Sequence, residues 1–179
     1  MKCARSNFAM VALSNFVYVY GGISGCGEGE ESHHPMLAET TIERYQPKAD
    51  VWEPITIAAA PRLAAFSWAR LGSKPTDSKM VIFGGSDGNI TLQDFHIVDF
   101  NDSTVQTKET NFEFNTAMGH MVYHGGSDTL HHIGGYNSEG VDYRMKISEA
   151  SWTQSEKNHS LVMNATGLEL MNNSSIYFD

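Results

Sequence analysis

The sequence predicts an all-β chain built from repeated units of about 50 residues. Three observations carry that expectation. Short β-rich runs end in a glycine doublet three times, at Gly21-Gly22, Gly84-Gly85 and Gly134-Gly135. Each is preceded by another apolar run (Phe8 to Leu13, Leu63 to Leu71, Met118 to Tyr123) across a turn signal at Ser14-Asn15, Gly72 to Asp77 and Gly125 to Asp128. Trp52 and Trp152 stand 100 residues apart, twice the 50 that separate Gly84 from Gly134.

Each unit therefore opens with a β-hairpin over Phe8 to Tyr20, Leu63 to Phe83 or Met118 to Ile133. The glycines that close it supply a positive φ, or room for a neighbouring backbone, where a side chain would intrude. A third strand is expected over Thr40 to Tyr45, Leu92 to Phe100 and Val141 to Ile147, and a fourth over Val51 to Ile57, Thr104 to Glu109 and Ala150 to Gln154. Four strands in about 50 residues is the content of one β-propeller blade. The expected units are 4–57, 61–112 and 114–157. Residues 159–179, with Leu161 to Met163 and Ser175 to Phe178, read as the first hairpin of a fourth, incomplete blade.

Composition excludes other classes. Hydrophobic residues make up 41% of the 179 and charged residues 18%, which is too apolar for disorder. The formal charge of −9 disfavours a nucleic-acid backbone as partner. No apolar run reaches the roughly 18 residues of a membrane span. The basic and then apolar N-terminus has the outline of a secretory leader, but Ser14-Asn15 interrupts it and the same β pattern recurs downstream. Cys3 and Cys26 make no disulfide framework and read as free thiols of a reducing compartment.

The glycine doublets, the Tyr45 and Trp52 pair seven apart, and the segment from Ile42 to Trp52 resemble the kelch repeat family. Pro61-Arg62 and Ala4-Arg5 resemble the family's approach to the first strand. The resemblance covers residues 4–157. The second repeat departs from it: Phe100 takes the tyrosine position, and Val105 or Thr107 falls where tryptophan is due. The third keeps Trp152, with Met145 seven residues before it. The resemblance implies a partial kelch-type β-propeller of about three and a half blades. The count leaves three completions open: further blades of a longer chain, a different polypeptide, or a second copy in a homodimer, since twice three and a half is seven.

The chemistry-bearing residues point away from catalysis. His120 and His124 share a strand face, but adjacent His131 and His132 point to opposite faces, and no cysteine pair has ligand spacing, so no metal or other cofactor is expected. Gly25 to Gly29 lacks the Gly-Lys-Ser/Thr sequel of a phosphate loop. No serine, histidine and aspartate grouping has a nucleophile turn. Some kelch-like propellers, galactose oxidase among them, are copper enzymes, yet neither cysteine sits in a context resembling that site.

The expected function is a non-enzymatic protein-interaction or scaffold module, because loops on a rigid disc give an adaptable contact surface. The resemblance implies partner contacts from the loops after Gly-Gly and from the approach to each first strand. On this sequence these are Arg5, Ser6, Asn7, His33, His34, Arg62, Leu63, Asp87, Asn89, Tyr136 and Asn137. The partner is a protein, or a second propeller fragment that completes the blades, with no membrane involved. The compartment expected is cytoplasmic, within a large complex or the cytoskeleton. One alternative is a substrate-recognition fragment of a ubiquitin-ligase or actin-associated adaptor, although no BTB, BACK or F-box segment is seen. Another is a propeller enzyme acting on a small molecule or sugar.

Overall fold

The computed structural model describes residues 1, 4–24, 36–37, 42–72, 74, 76–137, 141–154, 168–171 and 174–177. Every regular element among them is a β-strand. The first unit holds β1 (Arg5–Ser6), β2 (Ala9–Leu13), β3 (Phe16–Tyr20), β4 (Ile23–Ser24), β5 (Met36–Leu37), β6 (Ile42–Gln46) and β7 (Val51–Ile55). The second holds β8 (Ser67–Leu71), β9 (Lys79–Phe83), β10 (Phe95–Asp99) and β11 (Thr104–Lys108). The third holds β12 (His120–His124), β13 (Thr129–Ile133), β14 (Tyr143–Lys146) and β15 (Ser151–Gln154). A two-stranded hairpin, β16 (Leu168–Met171) with β17 (Ser174–Tyr177), follows, and β16 lies beside β12.

Each unit is a four-stranded antiparallel meander: β2-β3-β6-β7, β8-β9-β10-β11 and β12-β13-β14-β15. The sheets stack face to face, and strand alternation decides which side chain enters which layer. In the middle sheet Met80, Ile82 and Val98 face the first sheet, where they join Val11, Leu13, Tyr18 and Tyr20. Val81, Phe83 and Phe95 face the third sheet and meet Met121, Leu130, Met145 and Trp152. β9 therefore buries both faces, which explains its unbroken apolar run from Met80 to Phe83. Each such side chain contributes about 1.5–3 kcal/mol by leaving water.

The units superpose by register. Tyr45 pairs with Trp52, Val98 with Val105 and Met145 with Trp152, always seven apart. The tyrosine position of the second unit is thus Val98, not Phe100, which follows the strand and donates its N–H to the Ser78 carbonyl. One residue before each fourth strand the backbone turns through a positive φ at a residue fixed by this spacing: Asp50, Ser103 and Ala150. In the first unit Tyr45 Oη donates to Asp50 Oδ1 at 2.7 Å and holds that turn.

Some strand limits differ from those the sequence predicts. β8 begins at Ser67 rather than Leu63, and β12 at His120 rather than Met118. The residues before them form the link between sheets. β4 and β5 lie between the second and third strands expected of the first unit, and β4 pairs with β1. The described part of the final hairpin uses Leu168 to Met171, a strand the apolar pattern did not single out; residues 161–163 lie outside the described residues.

Candidate functional site

The glycine doublets lie at one end of the stack, and the first two join their sheets to the next. Gly22 N–H donates to the Leu63 carbonyl, and Gly85 N–H to the Thr116 carbonyl, both at 2.8 Å. The first glycine of each doublet has φ of 65°, 64° and 65°, and the second 97°, 90° and 97°. A second chain of bonds runs beside them: Ala65 N–H donates to Asn7 O, and Met118 N–H to Ala65 O. These three residues also share a left-handed φ, of 54°, 57° and 58°. Each unit adds one small antiparallel bridge here: Ser6 with Ile23, Ala64 with Ser86, Ala117 with Tyr136. This end is a rigid backbone lattice from which short loops project.

The residues singled out from sequence divide into two groups at this end. Ser6, Asn7, Arg62, Asn89, Tyr136 and Asn137 are exposed, and Asp87 is half-buried. Asp87 Oδ1 accepts the N–H groups of Asn89 and Ile90, at 2.8 and 2.9 Å, and these bonds hold its carboxyl below the usual range. It shapes its turn and presents Ile90 and Asn89. Asn137 Nδ2 donates to the Asn115 carbonyl at 3.1 Å and steadies the loop that carries Tyr136.

The Arg5 side chain and Leu63 are buried. They occupy the same position in successive units, so Arg62 is not the counterpart of Arg5 but falls one residue earlier. Leu63 sits in the core between the first two sheets. The Arg5 side chain, 1% exposed, pairs through its guanidinium with Glu43 at 2.8 Å and donates to the Gly21 carbonyl at 2.9 Å. Arg5 thus braces the first doublet from within. His33 and His34 lie outside the described residues.

Two exposed residues at this end were not singled out by the sequence. Ile90 is 59% exposed, on a turn of otherwise polar residues. Met118 is 66% exposed and points out because its backbone is committed to Ala65. With Tyr136 at 64% they form the large apolar side chains of the doublet end. A lone isoleucine between Asn89 and Thr91 was the legible signal. Met118 carried none, because its run reads as a strand.

The histidines serve the layers. His132 is fully buried, with Nε2 3.1 Å from Ser67 Oγ and its ring edge-on to Phe83 at 5.1 Å. Burial, with a small push from His120, takes its pKa down to about 3, so the ring is neutral. His131 points to the opposite face, with Val122, His120 and His124. Burial first, then His124 and Arg144, lowers its pKa. His96, lowered by burial, lies 2.9 Å from Thr107 Oγ1 through Nδ1. Among the described residues no three His, Cys, Asp or Glu side chains are grouped to hold a metal ion, and no helix is long and apolar enough to cross a membrane. No family model and no curated protein sequence matches this chain.

Proposed function

We propose that this chain is a non-enzymatic protein-interaction or scaffold module of the kelch type, one arc of a β-propeller that works inside a larger intracellular assembly. One observation carries the reading. Each sheet joins the next through the same glycine-to-carbonyl step, Gly22 to Leu63 and Gly85 to Thr116, with φ values that repeat within a few degrees. A constant step between stacked four-stranded meanders favours a radial array. The outward face of the first sheet supports it further. Met10, Val17, Tyr45 and Trp52 hold there the positions that Trp68, Met80, Val98 and Val105 use to pack on the first sheet. Met10 remains 56% exposed. Such a face suits another sheet, from the same chain, a second copy or a protein partner.

The partner-reading surface in this proposal is the doublet end, with Ile90, Met118 and Tyr136 as apolar anchors among Asn7, Arg62, Asn89 and Asn137. Aromatic and methionine side chains of this kind are favoured at interface centres. The test is affinity capture with the full chain and with a triple variant, Ile90→Ser, Met118→Ser and Tyr136→Ser. The native chain should retain a defined partner that the folded variant loses. Equal capture by both would remove the surface. Electron microscopy of the captured particle should show sheets arranged around a shared axis, and a flat sandwich would end the propeller reading.

A further inference from the structure

The opposite end of the first sheet carries a groove of about 690 Å³. It lies where the β2–β3 turn and the β6–β7 turn approach the second sheet. Its apolar lining on the side of the second sheet is Leu13 and Phe16; Gln46 stands beside them; Lys48 and Arg70 supply its charge. None of the residues lining it carries a carboxylate. In a chain with 21 acidic against 12 basic side chains, two cations without a lining acid are a marked local reversal.

Both cations are available to a ligand. Among the described residues neither Lys48 nor Arg70 enters an ion pair; those present are Arg5 with Glu43, Arg44 with Glu53, Lys79 with Asp99 and Lys146 with Glu149. Arg70 Nη2 donates to the Lys74 carbonyl, which fixes the guanidinium in place. Its Nε is buried and meets no acceptor among the described residues. A donor held in that state gains from any acceptor that reaches it. Asp77, on the same turn, is already engaged by the Lys74 N–H at 2.6 Å. The Phe16 ring has the Arg44 guanidinium over one face at 4.3 Å, so this lining is rigid as well as apolar.

We infer that this groove binds an extended segment of a partner protein in which carboxylates alternate with apolar side chains: acids to Arg70 and Lys48, apolar groups to Leu13 and Phe16. This site is separate from the doublet end and stands whether or not that surface reads a partner. Alternation suits it because successive side chains of an extended peptide point in opposite directions, toward the apolar lining and toward the charged rim.

The test uses the full chain and fluorescence anisotropy. The probe is a fluorescein-labelled octapeptide alternating aspartate with leucine, beside a counterpart with lysine replacing aspartate. The acidic peptide should bind at least about tenfold more tightly than the basic one, and raising salt from about 50 to 300 mM should weaken it severalfold. Arg70→Gln should weaken binding about tenfold and Lys48→Gln about threefold. Lys48 is exposed on a turn, so its variant tests the site even if Arg70→Gln disturbs folding; Gln46→Glu, which places a carboxylate on the rim, should also weaken binding. Equal binding of the two peptides, no binding of the acidic one, or unchanged affinity in Lys48→Gln and Gln46→Glu would overturn the inference. Displacement by free succinate at the peptide's own concentration would overturn the peptide assignment.

Discussion

A Cβ placed on Gly84 would stand 2.3 Å from the carbonyl oxygen of Thr116, and Gly21 stands in the same relation to Leu63 at the same distance. The contact is backbone against backbone, so no side-chain rotation can relieve it. It joins two successive sheets, and it is why the doublets recur.

Gly84→Ala should therefore be severely destabilising. A left-handed φ of 64° costs a non-glycine residue about 1–2 kcal/mol, and the clash with the Thr116 carbonyl adds about 1–3. A loss of about 2–5 kcal/mol in urea unfolding is expected. Gly126→Ala offers a control: a Cβ there would meet its nearest atom, on the His124 side chain, at 3.3 Å, without the Gly84-type backbone clash. Equal stability of the two variants would refute the account.

Gly119 and His132 act as an exchanged volume. Gly119 occupies the position of Phe66 one unit earlier, and His132 that of Ile82. Phe66 reaches across to stand edge-on to Tyr20 at 5.7 Å and 90°; His132 does the same to Phe83 at 5.1 Å and 86°. The imidazole fills the space that glycine vacates. Gly119→Phe alone should cost about 1–3 kcal/mol through overpacking, since even a Cβ would lie 2.4 Å from His132 Nε2. Pairing it with His132→Val should recover most of that loss, and a double-mutant cycle showing simple additivity would contradict the exchange.

Acid should unfold the native chain partly through His132. Its folded pKa, near 3, lies below the ordinary 6.5, so the unfolded state binds the proton first. Stability from this group is complete above about pH 6.5 and falls as pH drops toward 3, by up to about 1.4 kcal/mol per pH unit. His132→Phe lacks that slope. Urea midpoints at pH 7, 6 and 5 should converge between the two proteins as pH falls, because only the native one loses this contribution. Parallel curves would show that folding leaves the ring's proton affinity unchanged.

The Arg5 and Glu43 pair should be costly to break and cheap to replace. Both side chains are almost wholly buried, and removing either partner strands a charge, at about 3–5 kcal/mol. Arg5→Leu or Glu43→Leu alone should show that loss in thermal unfolding. The double variant should lose less than either, because the second unit already holds Leu63 in the Arg5 position. A double variant as unstable as Arg5→Leu, beside a near-native Glu43→Leu, would show that the bond from Arg5 to the Gly21 carbonyl is what matters.

The sequence by itself determined the strand content, the repeat and most hairpins, because alternation, turn residues and glycine doublets act over a few neighbours. Gly21, Gly84 and Gly134 were legible for that reason, as were Tyr45 and Trp52. The tertiary structure alone decided which side chains reach the surface. Arg5 and Arg62 look equivalent in the chain, yet a one-residue offset buries the first against Glu43 and leaves the second exposed. Met118 reads as strand, but Ala65, 53 residues away, takes its N–H and turns it outward. The groove beside Arg70 depends on how two sheets face each other. Such contacts are set by packing between distant segments, and no local pattern encodes them.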